Sequence, residues 1–299
     1  MQGESPVRGA SVGLVSLLIA FALLVGACGA QTTPILPTST PELPTPTPTP
    51  EAPTSPPPTA IANTATPEAT VPTDEGSLKP WDLVVFGDSM TWFWPKIYAD
   101  HIEADLGVTV TLHDWSRSNR HSTQLLYILQ TDEELRSLLS EAEVIAFDIP
   151  AKHVRQATYS YDAGTCGGSD DQDCLREGLA LYEADVDAIL DEILSLRSTE
   201  DALIRTMDYY LSGVNQLQRA GTYEVLYPYY SECCDYLAEA ASQRNIPVAR
   251  VHLAFNGPNG DEDPADKGFI GNDGIHVGPE GATVIAGLYR ELGYGFSGQ

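Results

Sequence analysis

The residues best suited to chemistry stand far apart in this chain. Gly87-Asp88-Ser89 follows directly on the apolar run Leu83 to Phe86, which puts a serine hydroxyl on the turn leaving a buried strand. Near the other end, Asp273-Gly274-Ile275-His276 supplies a carboxylate and an imidazole three residues apart. On a turn, that spacing lets the carboxylate bond the near ring nitrogen and hold the tautomer, leaving the far nitrogen to accept a serine proton. The chain therefore holds every group that serine-based acyl transfer needs. Each part also has a plainer use: Asp88-Ser89 as a helix cap, Asn272-Asp273-Gly274 as an ordinary turn.

Bringing these groups together is the task of the elements between them. Strand-like apolar runs occur at Leu83 to Phe86, Val108 to Leu112, Val144 to Ile149, Leu203 to Met207 and Val248 to Phe255. Helical patterns alternate with them at Trp92 to Leu106, Gln124 to Leu139, Leu175 to Leu196, Tyr223 to Arg244 and Pro279 to Leu292. The alternation predicts an α/β domain, a three-layer α/β/α arrangement around a five-stranded parallel sheet. Such sheets bind ligands beyond the carboxyl ends of their strands, where Ser89 falls. A helix N-terminus beside Ser89 would favour a developing oxyanion. Trp92, Phe93 and Trp94 read first as core packing, with a substrate platform as the alternative.

The order and spacing of Gly87-Asp88-Ser89, of Asp273 and His276, and of Phe255-Asn256-Gly257-Pro258 resemble the SGNH (GDSL) hydrolase family over most of Trp81 to Tyr294. The resemblance implies an SGNH/flavodoxin-like fold and ester hydrolysis through an acyl-serine intermediate. By it, Ser89 is the nucleophile, His276 the general base and then acid, and Asp273 its orienter; no metal or organic cofactor is implied. The Gly-x-Ser-x-Gly elbow of α/β-hydrolases is absent. The middle of the family pattern is altered. Asn119 stands where a family glycine lends an amide to the oxyanion hole, and Pro150-Ala151-Lys152-His153 stands where Gly-x-Asn-Asp is expected. The oxyanion is then expected on the amides of Ser89 and Asn119, with Lys152 replacing the missing side-chain donor. Lys152 and His153 read equally as a solvated strand end. A rival reading is a non-catalytic ligand-binding lipoprotein whose oxyanion hole has degraded.

Residues 1–27 read as a lipoprotein signal peptide. The apolar run Val12 to Val25 is shorter than the ~20 residues of a membrane span. It ends in Val25-Gly26-Ala27-Cys28, which looks like a lipobox and would make Cys28 the lipidated residue; ordinary secretion is the alternative. Residues 28–78 form a Pro/Thr-rich linker expected to be disordered, since thirteen of the 22 prolines lie between Gln31 and Ser77 with few large apolar side chains to bury. Residues 79–299 remain as one hydrolase-like domain. The formal charge is −26, of which residues 1–78 account for −5, leaving −21 on that domain. Such a balance repels nucleic acid and anionic head groups. The expected partner is a small-molecule, glycan or lipid ester, met by an extracytoplasmic monomer that touches the membrane only through Cys28.

Beyond a signal peptide the surroundings are oxidising. Cys166 and Cys174 flank a Gly-rich polar loop and are expected to close it as a disulfide. Cys233 and Cys234 sit in a helical pattern in which one faces the core and the other does not. Free thiols, a vicinal pair, or partners of the first two all remain open. No histidine stands at ligand spacing from either pair, which disfavours zinc.

Overall fold

The computed structural model describes residues 80–296. The signal-like run, Cys28 and the Pro/Thr-rich segment lie outside the described residues. Five strands, β1 (Trp81–Phe86), β2 (Val110–Asp114), β3 (Val144–Asp148), β4 (Leu203–Met207) and β5 (Val248–Ala249), form one sheet in the order β2-β1-β3-β4-β5. Every neighbouring pair is parallel. The order reverses between β1 and β3, and a crevice opens at such a switch point.

Side-chain alternation along the strands divides the interior in two. Val84 and Phe86 of β1, with Ile145 and Phe147 of β3, face one core; Leu83, Val85, Val144 and Ala146 face the other. Burying each of these larger side chains is worth roughly 1.5–3 kcal/mol. The first core is covered by α2 (Ser122–Thr131), α3 (Glu133–Glu141), α4 (Lys152–Asp162), α5 (Asp173–Leu196), α6 (Val214–Ala220) and α7 (Tyr223–Gln243). The second is covered by α1 (Trp94–Leu106), α8 (Val251–Asn256) and α9 (Pro279–Glu291). Trp94 and Tyr289 stack with ring centroids 4.4 Å apart and fasten α1 to α9.

Several expectations need correction. The run Val248 to Phe255 yields a strand of two residues and then α8, because Arg250 turns the chain and Val251 and Phe255 pack as one helical face. The pattern Gln124 to Leu139 is broken at Asp132, whose carboxylate accepts the Leu135 amide at 3.1 Å and starts a new helix. Cys233 and Cys234 are both buried, since α7 is wedged between α5 and the sheet: Cys233 joins the core, and the Cys234 thiol donates to the Tyr209 carbonyl at 3.1 Å. Both are free thiols, and burial pushes their pKa values up. Cys166 and Cys174 form a disulfide that ties the Gly-rich loop to the first turn of α5.

Candidate active site

β1 ends at Phe86, and Gly87 takes φ +148°, a conformation that side chains strongly disfavour. A Cβ there would lie 1.6 Å from Asp148 Oδ1, so only glycine lets the strand end turn this close to β3. The next amide, of Asp88, donates to the same Asp148 oxygen at 3.0 Å. Asp88 in turn accepts the Met90 amide at 2.8 Å and caps the single 3-10 turn Ser89–Thr91. Capping and display are thus compatible: Asp88 does the first and leaves the Ser89 hydroxyl free for the second. Ser89 does not open an α-helix, as α1 begins only at Trp94, so little helix dipole reaches its hydroxyl.

Ser89 Oγ lies 2.9 Å from His276 Nε2. On the other side of the ring, Nδ1 lies 2.5 Å from Asp273 Oδ2. Asp273 Oδ1 accepts the amides of Ile275 and His276, each at 3.0 Å, which fixes the carboxylate before it meets the imidazole. The His276 hydrogen bond, and then these amides, hold the Asp273 pKa well below the usual carboxylate range. The loop is seated by Gly271 N–H on the His276 carbonyl at 2.7 Å and by the Tyr210 hydroxyl on the Ile275 carbonyl at 2.9 Å. Trp92 stacks on the His276 ring with centroids 5.0 Å apart. The aromatic triplet therefore divides: Trp94 is core, whereas Trp92 and the exposed Phe93 line a cavity of about 620 Å³ with Ile97, His276 and Val277.

Asn119 has φ 59°, the left-handed conformation that asparagine tolerates best after glycine. The backbone path suited to a glycine is therefore kept. Its loop is stitched to the serine turn, because Arg117 N–H and Arg120 Nη1 both donate to the Gly87 carbonyl, at 3.2 and 3.3 Å. Lys152 is not at a solvated strand end; it starts α4 and is buried, with Nζ 3.1 Å from Asp88 Oδ2. Asn119 and Lys152 meet in the lining of a second, smaller cavity of about 140 Å³. His153 belongs elsewhere, bonded to Asp185 at 2.9 Å.

Sequence reading passed over Asp148, Arg120 and Tyr210. Burial, and then the neighbouring Asp88 carboxylate, raise the Asp148 pKa well above its ordinary value. An aspartate ending the strand beside the serine-bearing one was the available signal. Among the described residues, no three His, Cys, Asp or Glu side chains are grouped to hold a metal ion.

The Lys152–Asp88 pair is almost fully enclosed, with side-chain exposures of 10% and 3%. Lys152→Met would leave a buried carboxylate without its counter-ion and is expected to cost about 3–5 kcal/mol in urea unfolding. Adding Asp88→Asn should recover most of that loss. A double variant as unstable as the single one would show that the pair is not what Lys152 stabilises.

No family model matches the chain, and no curated protein matches it. Solved structures do. A lipase from a goat rumen metagenome is similar at 20% identity with a TM-score of 0.59, covering 72% of this chain and 98% of that one. An acetyl xylan esterase variant from Geobacillus stearothermophilus is similar at 16% identity with a TM-score of 0.50, covering 72% and 95%. At these identities the likeness is one of fold: a five-stranded parallel sheet with helices on both sides. Among the described residues no helix is long and apolar enough to cross a membrane.

Proposed function

We propose that the chain is an SGNH-type serine hydrolase that cleaves carboxylic esters through an acyl-serine intermediate. The observation that carries this reading is the relay from Ser89 Oγ to His276 Nε2 at 2.9 Å, with Nδ1 on Asp273. His276 takes the serine proton as Oγ attacks the ester carbonyl, then returns it to the leaving alcohol; water repeats the two steps on the acyl-serine. The amides of Ser89 and Asn119 hold the oxyanion, and Lys152, fixed by Asp88, adds charge at its edge. One such donor is worth about 3–4 kcal/mol of the barrier. Trp92 keeps the imidazole in plane, and the apolar cavity beside it takes an acyl chain or the face of a sugar ring.

The esters that fit are carbohydrate O-acetyl groups and lipid esters. The two similar structures, a lipase and an acetyl xylan esterase, support that range. An extracytoplasmic setting, with Cys28 lipidated, accords with the Cys166–Cys174 disulfide. The test is covalent labelling with a fluorophosphonate followed by peptide mass spectrometry. An adduct on Ser89 is expected. An unlabelled protein would favour the ligand-binding alternative, to which the replacement of the usual Gly-x-Asn-Asp by Pro150 to His153 points.

A further inference from the structure

The smaller cavity has a chemistry of its own. It is lined by Asn119, His121, Lys152, Arg155, Gln156 and Tyr159, with no carboxylate among them. Arg155 is half-buried and makes no ion pair among the described residues; its neighbours are the phenols of Tyr159, Tyr209 and Tyr230. In a sequence with 42 acidic and 16 basic residues, a counter-ion was easily supplied, and burying a guanidinium without one is costly. Lys152 is already committed to Asp88, and Arg120 spends its guanidinium on the carbonyls of Gly87 and Trp115. Among the described residues that line the cavity, Arg155 is the cation left facing it. Burial, and then the nearby His153 and Lys152, lower the His121 pKa, so His121 lines the cavity as a neutral imidazole.

We propose that this cavity is a subsite for a carboxylate carried by the ester substrate, received by Arg155 with Asn119, Gln156 and Tyr159 as neutral donors. It lies beside the serine turn, since Lys152 bonds Asp88 and the Asn119 loop is tied to the Gly87 carbonyl. A guanidinium fork matches a carboxylate in plane, which a lone ammonium does not. A volume of about 140 Å³ is that of about five waters at ~30 Å³ each, enough for a carboxylate and one or two carbons. The domain's net negative charge repels anions at long range, so recognition here is by contact and not by steering. The inference rests on the hydrolase reading of Ser89 and names its substrate class: half-esters of dicarboxylic acids, or esters of hydroxy and uronic acids.

The experiment compares kcat/KM within two pairs. Monoethyl succinate against ethyl butyrate places the carboxylate on the acyl side, and acetoxyacetate against propyl acetate places it on the alcohol side. In one pair the carboxylate ester is expected to be preferred at least tenfold, and the pair that shows it identifies the side. Arg155→Gln should bring that ratio to one or below, and Arg155→Lys should keep part of it. Equal use within both pairs, or a ratio unmoved by Arg155→Gln, overturns the proposal while leaving the hydrolase reading intact. If no ester is turned over, the hydrolase reading fails and monoethyl succinate becomes a stable probe. Calorimetry should then show it binding at least tenfold more weakly to Arg155→Gln than to the parent, and equal affinity overturns the subsite.

Discussion

Ser89→Ala is expected to lower kcat/KM for 4-nitrophenyl acetate by about 10⁴-fold or more, with the thermal midpoint shifted by no more than a few degrees. Among the described residues the hydroxyl's side-chain partner is the His276 ring, and removing a single oxygen from this buried position opens little space. What remains would come from the oxyanion donors and from binding alone. His276→Ala should cost a similar factor, and the double variant hardly more, because groups that act as one unit do not add. Stopped-flow measurement of the nitrophenolate burst reads this directly. A Ser89→Ala protein that still shows a burst would place the nucleophile elsewhere.

Gly87→Ala is expected to damage both stability and rate. The added carbon would lie 1.6 Å from Asp148 Oδ1 and 2.9 Å from Thr91 Cγ2, at a φ of +148°. Asp148 cannot easily withdraw, since it is buried and accepts the Asp88 amide. Strain and overpacking together should cost about 3–5 kcal/mol in urea unfolding. The serine turn must shift as well, and a displacement near 1 Å lowers kcat by about 10²-fold. Removing the obstacle with Asp148→Ala in the same chain should restore part of the stability and little of the rate, because the backbone strain persists. A Gly87→Ala protein with unchanged stability and rate would mean that the turn is not held as described.

Much of the architecture was legible because parallel strands buried on both faces write themselves as short apolar runs, and all five positions appear in the sheet. The misreadings have local causes. Val248 to Phe255 is mostly apolar, broken only by Arg250 and His252, and too short for periodicity to separate strand from helix. Asp132 carried a capping signal that a continuous leucine pattern concealed. α4 escaped notice because Lys152 to Asp162 is mostly polar, its buried face reduced to Lys152, Val154, Ala157 and Thr158. In the site, Ser89, Asp273 and His276 announced themselves by type and spacing, and the structure brings them within hydrogen-bonding reach. The partners of Lys152 and the carboxyl beneath Gly87 were not legible. They depend on the ends of β1 and β3 lying side by side, which no local pattern encodes.

The imidazole and the hydroxyl it meets are separated by 187 positions, and the imidazole rides on the segment leading into α9. That helix is held to α1 by the Trp94–Tyr289 stack and by Arg290 on Asp105 at 2.8 Å, and to β3 by the Tyr289 hydroxyl on the Phe147 carbonyl at 3.0 Å. The last helix therefore behaves as a clasp. A growing polypeptide cannot bring the imidazole to the hydroxyl until the clasp arrives, and any brief undocking of it in the finished molecule parts the two.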